Sequence, residues 1–243
     1  MEGFLWGSLA ASTLLIGALI SIKWQIPKKM VGLIMAFGVG VLISAISFEL
    51  VHEAFTRESG IGWGLVLGFL AGIIVFFVGN QFIKKAGGSR RKRLVTSKDN
   101  DGSAPGIVLG SVLDGIPESI VIGLSVASGS GGGIAMMIAV LLSNLPESIG
   151  SSSGLIHNGW SRIKVVGLWC GVIAISGIAS LIGYLFFKDA SSDVVALVLS
   201  FSAGALLTMI SDTMMPEAFE DAGTWSGVFV ALGFGVAFCV SFF

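Results

Sequence analysis

Eight stretches of this chain run for about twenty residues with few or no charges: 4–22, 30–55, 60–83, 106–127, 132–155, 163–187, 192–219 and 224–243. A helix needs about 20 mostly apolar residues to cross the hydrocarbon core of a bilayer. Backbone groups at that depth find no water, so each crossing must satisfy its own hydrogen bonds, and helices do this. The expected fold is therefore an all-α polytopic membrane protein with eight transmembrane helices, a single transmembrane domain over residues 1–243. Composition agrees: 54% of residues are hydrophobic and 12% charged, with a mean hydropathy of +0.93. A soluble domain carries about twice that charged share. The longest polar connection, 84–105, reads as a flexible basic loop, and no connection is long enough for a second, soluble domain.

Lysine and arginine orient the helices, because they collect on the cytoplasmic side. With the N-terminus outside, twelve basic residues face inward and only Arg57 and Lys188 face outward. Both termini are then outside. The first apolar run has no basic residue ahead of it, which argues for an uncleaved helix rather than a secretory signal. The absence of targeting segments points to a prokaryotic inner membrane. Cys170 and Cys239 lie in apolar runs and read as small core residues.

Acids are distributed differently. Asp114, Glu118, Glu147 and Asp212 fall within the apolar runs, and Glu49, Glu53 and Glu217 nearer their ends, whereas all fourteen basic residues sit in loops or at helix ends. A carboxylate in lipid without a partner is costly. No lysine or arginine is placed to meet these acids, so a cation from solution is the missing partner.

Two internal repeats sharpen this. Phe37–Phe55 and Phe201–Phe219 match at eight of nineteen positions with a constant offset of 164. The following runs echo each other more weakly, "GFLAGIIVFF" beginning at Gly68 against "GFGVAFCVSFF" beginning at Gly233. Pro117-Glu118-Ser119-Ile120 recurs as Pro146-Glu147-Ser148-Ile149. In each pairing the copies run in opposite directions. Inverted repeats with proline-broken helices in matching places mark transporters, with the substrate near mid-membrane. The arrangement reads as 3+2+3: three helices, a central pair, then three inverted. Each proline also frees a carbonyl four residues back, on Leu113 and Leu142.

Asp114 and Glu118 share one helix face at i and i+4, and Asn144 and Glu147 share another at i and i+3. Two facing helices bring these four together as an oxygen-only metal site, with Ser111, Ser143, Ser119 and Ser148 adding hydroxyls. Glu49, His52 and Glu53 fit either an outer metal-gathering site or a solvated helix end. Asp212 either lines the path or satisfies the kink at Pro216. Met209, Met214 and Met215 read as packing, as do Gly64, Gly68 and Gly72, a small-xxx-small face. Asp99-Asn100-Asp101-Gly102 reads as loop rather than a calcium site, lacking the closing glutamate, and His157 as solvated.

At these residues the chain resembles the ZIP family of divalent-metal transporters. The eight spans with both termini outside, the basic loop after span three, the two "PE" motifs and "SDTMMPEA" at the end of span seven carry the resemblance. The family's fourth span usually reads His-Asn-x-Pro-Glu-Gly, where this chain has Asp114-Gly115-Ile116-Pro117-Glu118-Ser119. Its fifth carries Pro followed by Glu or His, here Pro146-Glu147. The resemblance implies a metal site between spans four and five. It also implies an elevator-like motion of spans one, four, five and six against two, three, seven and eight, and a homodimer. With no histidine in either motif, the donor set tilts towards harder ions. The expected cargo is Mn, Fe, Zn or Cd as divalent ions, carried into the cytoplasm. Beyond lipid and a second copy, no organic cofactor or nucleic acid is expected.

Enzymatic readings fit poorly. Gly150–Gly154 matches G-x-S-x-G, but that motif needs a strand-to-helix turn, and His52-Glu53 lacks the second histidine of a metalloprotease. The remaining rivals are a transporter or channel for another solute and a metal-binding membrane protein that moves nothing.

Overall fold

A computed structural model describes residues 1–24, 26–57, 62–85, 104–128 and 132–241. Most of the basic loop, with Asp99-Asn100-Asp101-Gly102, lies outside them. Among the described residues there is one long helical segment for each apolar run and no strand. These are α1 (Glu2–Lys23), α2 (Lys28–Arg57), α3 (Trp63–Lys85), α4 (Ala104–Ser128), α5 (Gly132–His157), α6 (Arg162–Phe187), α7 (Ser192–Ala222) and α8 (Trp225–Ser241). Six of them, α1 to α4, α6 and α7, are long and apolar enough to cross a membrane. The apolar stretch of α8, Trp225–Val240, is shorter. α5 is diluted by Asn144, Glu147 and five serines.

Size, more than polarity, decides which face of each helix turns inward. α1 buries Gly3, Gly7, Ala10, Ala11, Leu14, Gly17 and Ala18 and exposes Leu5, Leu9, Ile16 and Leu19. Lipid tails are as apolar as leucine, so large side chains gain nothing by leaving them, while small ones let backbones approach. Cys170 and Cys239 follow this rule against expectation. Both are exposed on the outer surface and neither is in the core, since their runs are lipid-facing there. The buried Met209 and Met214 belong to the main core cluster.

The helices form two groups. α1 packs on α5 and α6, and α4 on α6; separately α3 packs on α7, and α2 on α8. The groups meet chiefly where α5 lies on α2 and α4 on α7 and α3.

Inverted symmetry is visible in the second group. A Cβ on Gly40 would strike the Val230 carbonyl, and one on Gly233 the Phe37 carbonyl. At the other end of the repeat, a Cβ on Gly204 would strike the Phe69 carbonyl, and one on Gly72 the Phe201 carbonyl. Phe37 and Gly40 correspond to Phe201 and Gly204, as the offset of 164 requires. The weaker echo shifts, however: packing pairs Gly233 with Gly72, one turn from the apparent match at Gly68. Backbone approach needs glycine at the crossing point, and this outranks similarity of the flanking apolar residues.

Both long repeats also change helix type at the same place. α2 widens into a π-turn at Ile46–Val51, where the His52 N–H bonds the Ser47 carbonyl. α7 does so at Ile210–Met214, where the Met215 N–H bonds the Ile210 carbonyl. Ile46 and Ile210 are repeat equivalents.

Candidate functional site

Where α4 and α5 face each other beside α1 and α6, a small cavity is lined by Ser111, Gly115, Glu118 and Ser119 of α4. Val140, Asn144 and Glu147 of α5, Ala11 and Leu14 of α1, and Ser176 of α6 complete it. About 10 Å³ of it is open to the centre of a water-sized sphere, roughly the room of one water. A bare divalent ion fits such a space and a hydrated one does not. Glu118 and Glu147 are buried, at 3% and 5% exposure, as are Asn144, Ser111 and Ser119.

Neighbours set how these side chains present themselves. Asn144 Nδ2 donates to the Ala10 carbonyl at 3.5 Å, which leaves the amide oxygen available to a cation. Ser119 Oγ donates to the Gly115 carbonyl at 2.7 Å. One turn along α5, Ser148 Oγ bonds the Leu145 carbonyl at 3.0 Å and the Thr13 carbonyl at 3.4 Å. Gly17 makes room for it, since a Cβ there would strike Ser148 Oγ. Below, Trp169 Nε1 donates to Ser152 Oγ at 2.8 Å, tying α6 to α5. The hydroxyl-rich face of α5 thus holds Asn144 and Glu147 in place.

Of the remaining sequence candidates, Asp114 is buried on α4, one turn from Glu118, and is not among the cavity-lining residues. Ser143 is buried and donates to the Val140 carbonyl at 3.2 Å. The Leu142 carbonyl freed by Pro146 faces Gly38 of α2, 3.5 Å from where a Cβ would stand, rather than the cavity. At the far end of α2, His52 is exposed and Glu49 half-buried, while Glu53 accepts from Arg57 Nε at 2.8 Å. His157 is exposed at the end of α5. Among the described residues, no three of His, Cys, Asp and Glu stand close enough to hold a metal ion. The cavity lining itself offers two carboxylates, one amide and three hydroxyls as polar groups.

Asp212 accepts from Asn80 Nδ2 at 3.1 Å and lies 3.8 Å from Lys84 Nζ. The expectation that no basic residue meets a membrane acid is corrected here. Lys84 sits at the end of α3, but its flexible stem reaches back along the bundle. Ser176, Asn80 and Lys84 were not singled out in the sequence. Asn80 had a signal, an amide inside "FFVGNQF"; Ser176 looks like any small residue of a membrane helix.

A family profile described as ZIP zinc transporter matches residues 102–241. A putative zinc transporter of Arabidopsis thaliana is 26% identical over 218 residues, 88% of this chain and 34% of that protein. A zinc transporter of Caenorhabditis elegans is 30% identical over 115 residues, 46% of this chain and 25% of that protein. The chain thus spans about a third and a quarter of the length of these curated relatives.

Proposed function

The chain belongs to the ZIP zinc transporter family, and from that premise we propose that it carries divalent metal cations into the cytoplasm by alternating access. The observation that carries this reading is the buried cavity in which Glu118 and Glu147 meet Asn144. Two carboxylates that line one water-sized space can together balance the charge of a dication and supply it with oxygen donors. The cation sheds water at the cavity and is held by Glu118, Asn144 and Glu147, with Ser111, Ser119 and Ser176 as neutral oxygen donors. Asp114, one turn along α4, adds a third carboxylate to the ion's surroundings. Neutralising the site lowers the cost of moving α1, α4, α5 and α6 as a body past α2, α3, α7 and α8. The orientation has both termini outside, and the protein works as a homodimer in a prokaryotic inner membrane.

Zinc is the cargo named for both relatives. Oxygen donors without imidazole extend the range to manganese, ferrous iron and cadmium. Protons compete with the metal for the same carboxylates, so apparent affinity falls as pH falls; flux that ignores pH counts against this site.

Uptake into proteoliposomes across Mn²⁺, Fe²⁺, Co²⁺, Zn²⁺, Cd²⁺ and Mg²⁺, with a Glu118→Ala/Glu147→Ala variant beside the wild type, tests the proposal. Flux that the variant loses supports it and ranks the metals. A folded wild type that moves none of them overturns it.

A further inference from the structure

We propose that the π-turn of α2 is a switch that converts to α-helix and back as the cavity changes the side to which it opens, while its twin in α7 is a fixed bend. The inference rests on the transport reading above.

A π-helix is rare, occurs as single turns, and concentrates at functional sites. It differs from an α-helix by one residue per turn. Conversion therefore rotates everything beyond it by about 100° and shifts it by about 1.5 Å. That is enough to bring a different face of His52–Arg57 against the rest of the bundle.

The two turns occupy the same repeat position but are held differently. In α7, Pro216 follows the turn and has no N–H to return to the Asp212 carbonyl, so the α ladder cannot re-form there. The Asp212 side chain is in addition held by Asn80 and Lys84. In α2, the residue equivalent to Pro216 is His52. Its N–H already bonds the Ser47 carbonyl five residues back, and in an α-helix it would bond Phe48 instead. No proline enforces the π form in α2, so one hydrogen bond is exchanged for another and the two forms stand close in energy.

Position supplies the coupling. The π-turn lies against α5, the helix that carries Asn144 and Glu147, and against α7. Phe48, within the turn, packs edge-on to Phe238 at 5.2 Å between centroids, with Phe234 at 6.2 Å. Phe234 and Phe238 are nearly parallel, 9° apart, and present a continuous aromatic surface along which Phe48 can move. Movement of the α5 group is thus felt at the turn.

The repeat itself suggests the test. His52→Pro places in α2 the residue that α7 carries at the equivalent point, just after its own closing bond from Met215 to Ile210. Proline takes away the N–H that the two forms exchange and its ring opposes the α ladder, so the turn is left as a fixed bend like that of α7. Zinc binding in detergent by titration calorimetry and zinc flux in proteoliposomes are measured for His52→Pro and for His52→Ala, so that loss of the imidazole is subtracted. The expected result is equal zinc affinity for the two, with flux for His52→Pro at least about 10-fold below His52→Ala. Equal flux overturns the switch.

Deletion of Ser47 removes the extra residue and fixes the α form. If the proline variant fails to fold, a folded deletion variant with wild-type flux overturns the proposal equally. Thiol labelling of His52→Cys, on a Cys170→Ser/Cys239→Ser background, needs neither lock. Different rates with and without zinc support the switch, and identical rates overturn it. A wild type without zinc flux overturns the transport reading, and the switch falls with it.

Discussion

Glu118 and Glu147 stand apart from the chain's other acids because neutral oxygens close a space of atomic size between them. Conservative substitution probes that space directly. Glu118→Gln or Glu147→Gln keeps the volume and removes a charge, so each is expected to weaken zinc binding by at least about 10–100-fold, read by titration in detergent. A change below threefold would place the ion elsewhere. Asp212 is a different case. Its pair with Lys84 is long, and both side chains are about a third exposed, 32% and 35%. A double-mutant cycle on Lys84→Met and Asp212→Asn should give a coupling of about 0–1 kcal/mol. The buried Trp169–Ser152 bond should cost more to break: Ser152→Ala leaves the indole N–H without its acceptor, about 1–3 kcal/mol of stability, seen as a lower unfolding temperature in detergent.

Glycines govern how the helices fit. At Gly40, Gly72, Gly204 and Gly233 the partner's backbone occupies the place of a Cβ. Alanine there forces two helices apart, and overpacking of this kind costs about 1–3 kcal/mol. Gly40→Ala and its repeat equivalent Gly204→Ala should lower the unfolding temperature by similar amounts. Gly167→Ala, which meets nothing within 4 Å, should leave it unchanged. Similar losses at both repeat positions would support symmetry in energy as well as in shape; a loss at one alone would show that one crossing dominates. Pro117 and Pro146 were expected to break their helices, but α4 and α5 continue through them, each proline costing one backbone bond rather than the helix. Where the freed carbonyls point was not legible, because the neighbour that receives Leu142, Gly38, is about a hundred residues away in sequence.

In the bilayer, two groups of helices with close internal packing and a looser boundary make a natural pair of rigid bodies. A bond across that boundary should stop transport. Gly79 of α3 faces Leu113 of α4, with a Cβ at 79 lying 3.2 Å from a Leu113 methyl. Oxidation of Gly79→Cys/Leu113→Cys, in a protein otherwise without cysteine, is expected to abolish zinc flux, and reduction to restore it. Full flux through a quantitatively cross-linked protein would rule out relative motion of the two groups at this boundary.

The eight apolar runs, the inverted repeats and, of the cavity lining, Glu118, Glu147, Asn144, Ser111 and Ser119 could be read from the chain, because membrane helices are set by local hydropathy and each carboxylate in such a run is conspicuous. Matching π-turns could not be read. "FELVHEAF" contains no breaker, so α2 takes the π form where long-range packing favours an extra residue in the turn, whereas α7 has Pro216 beside its turn. Ser176 and Lys84 were hidden, and the partner of Asn80 with them, for a related reason. Their importance comes from which helix lies opposite, and hydropathy, being a property of one segment, says nothing of its neighbours. Cys170 and Cys239 went to the surface by the same logic: in lipid an apolar run has no obligatory inside, and close backbone contact chooses the face.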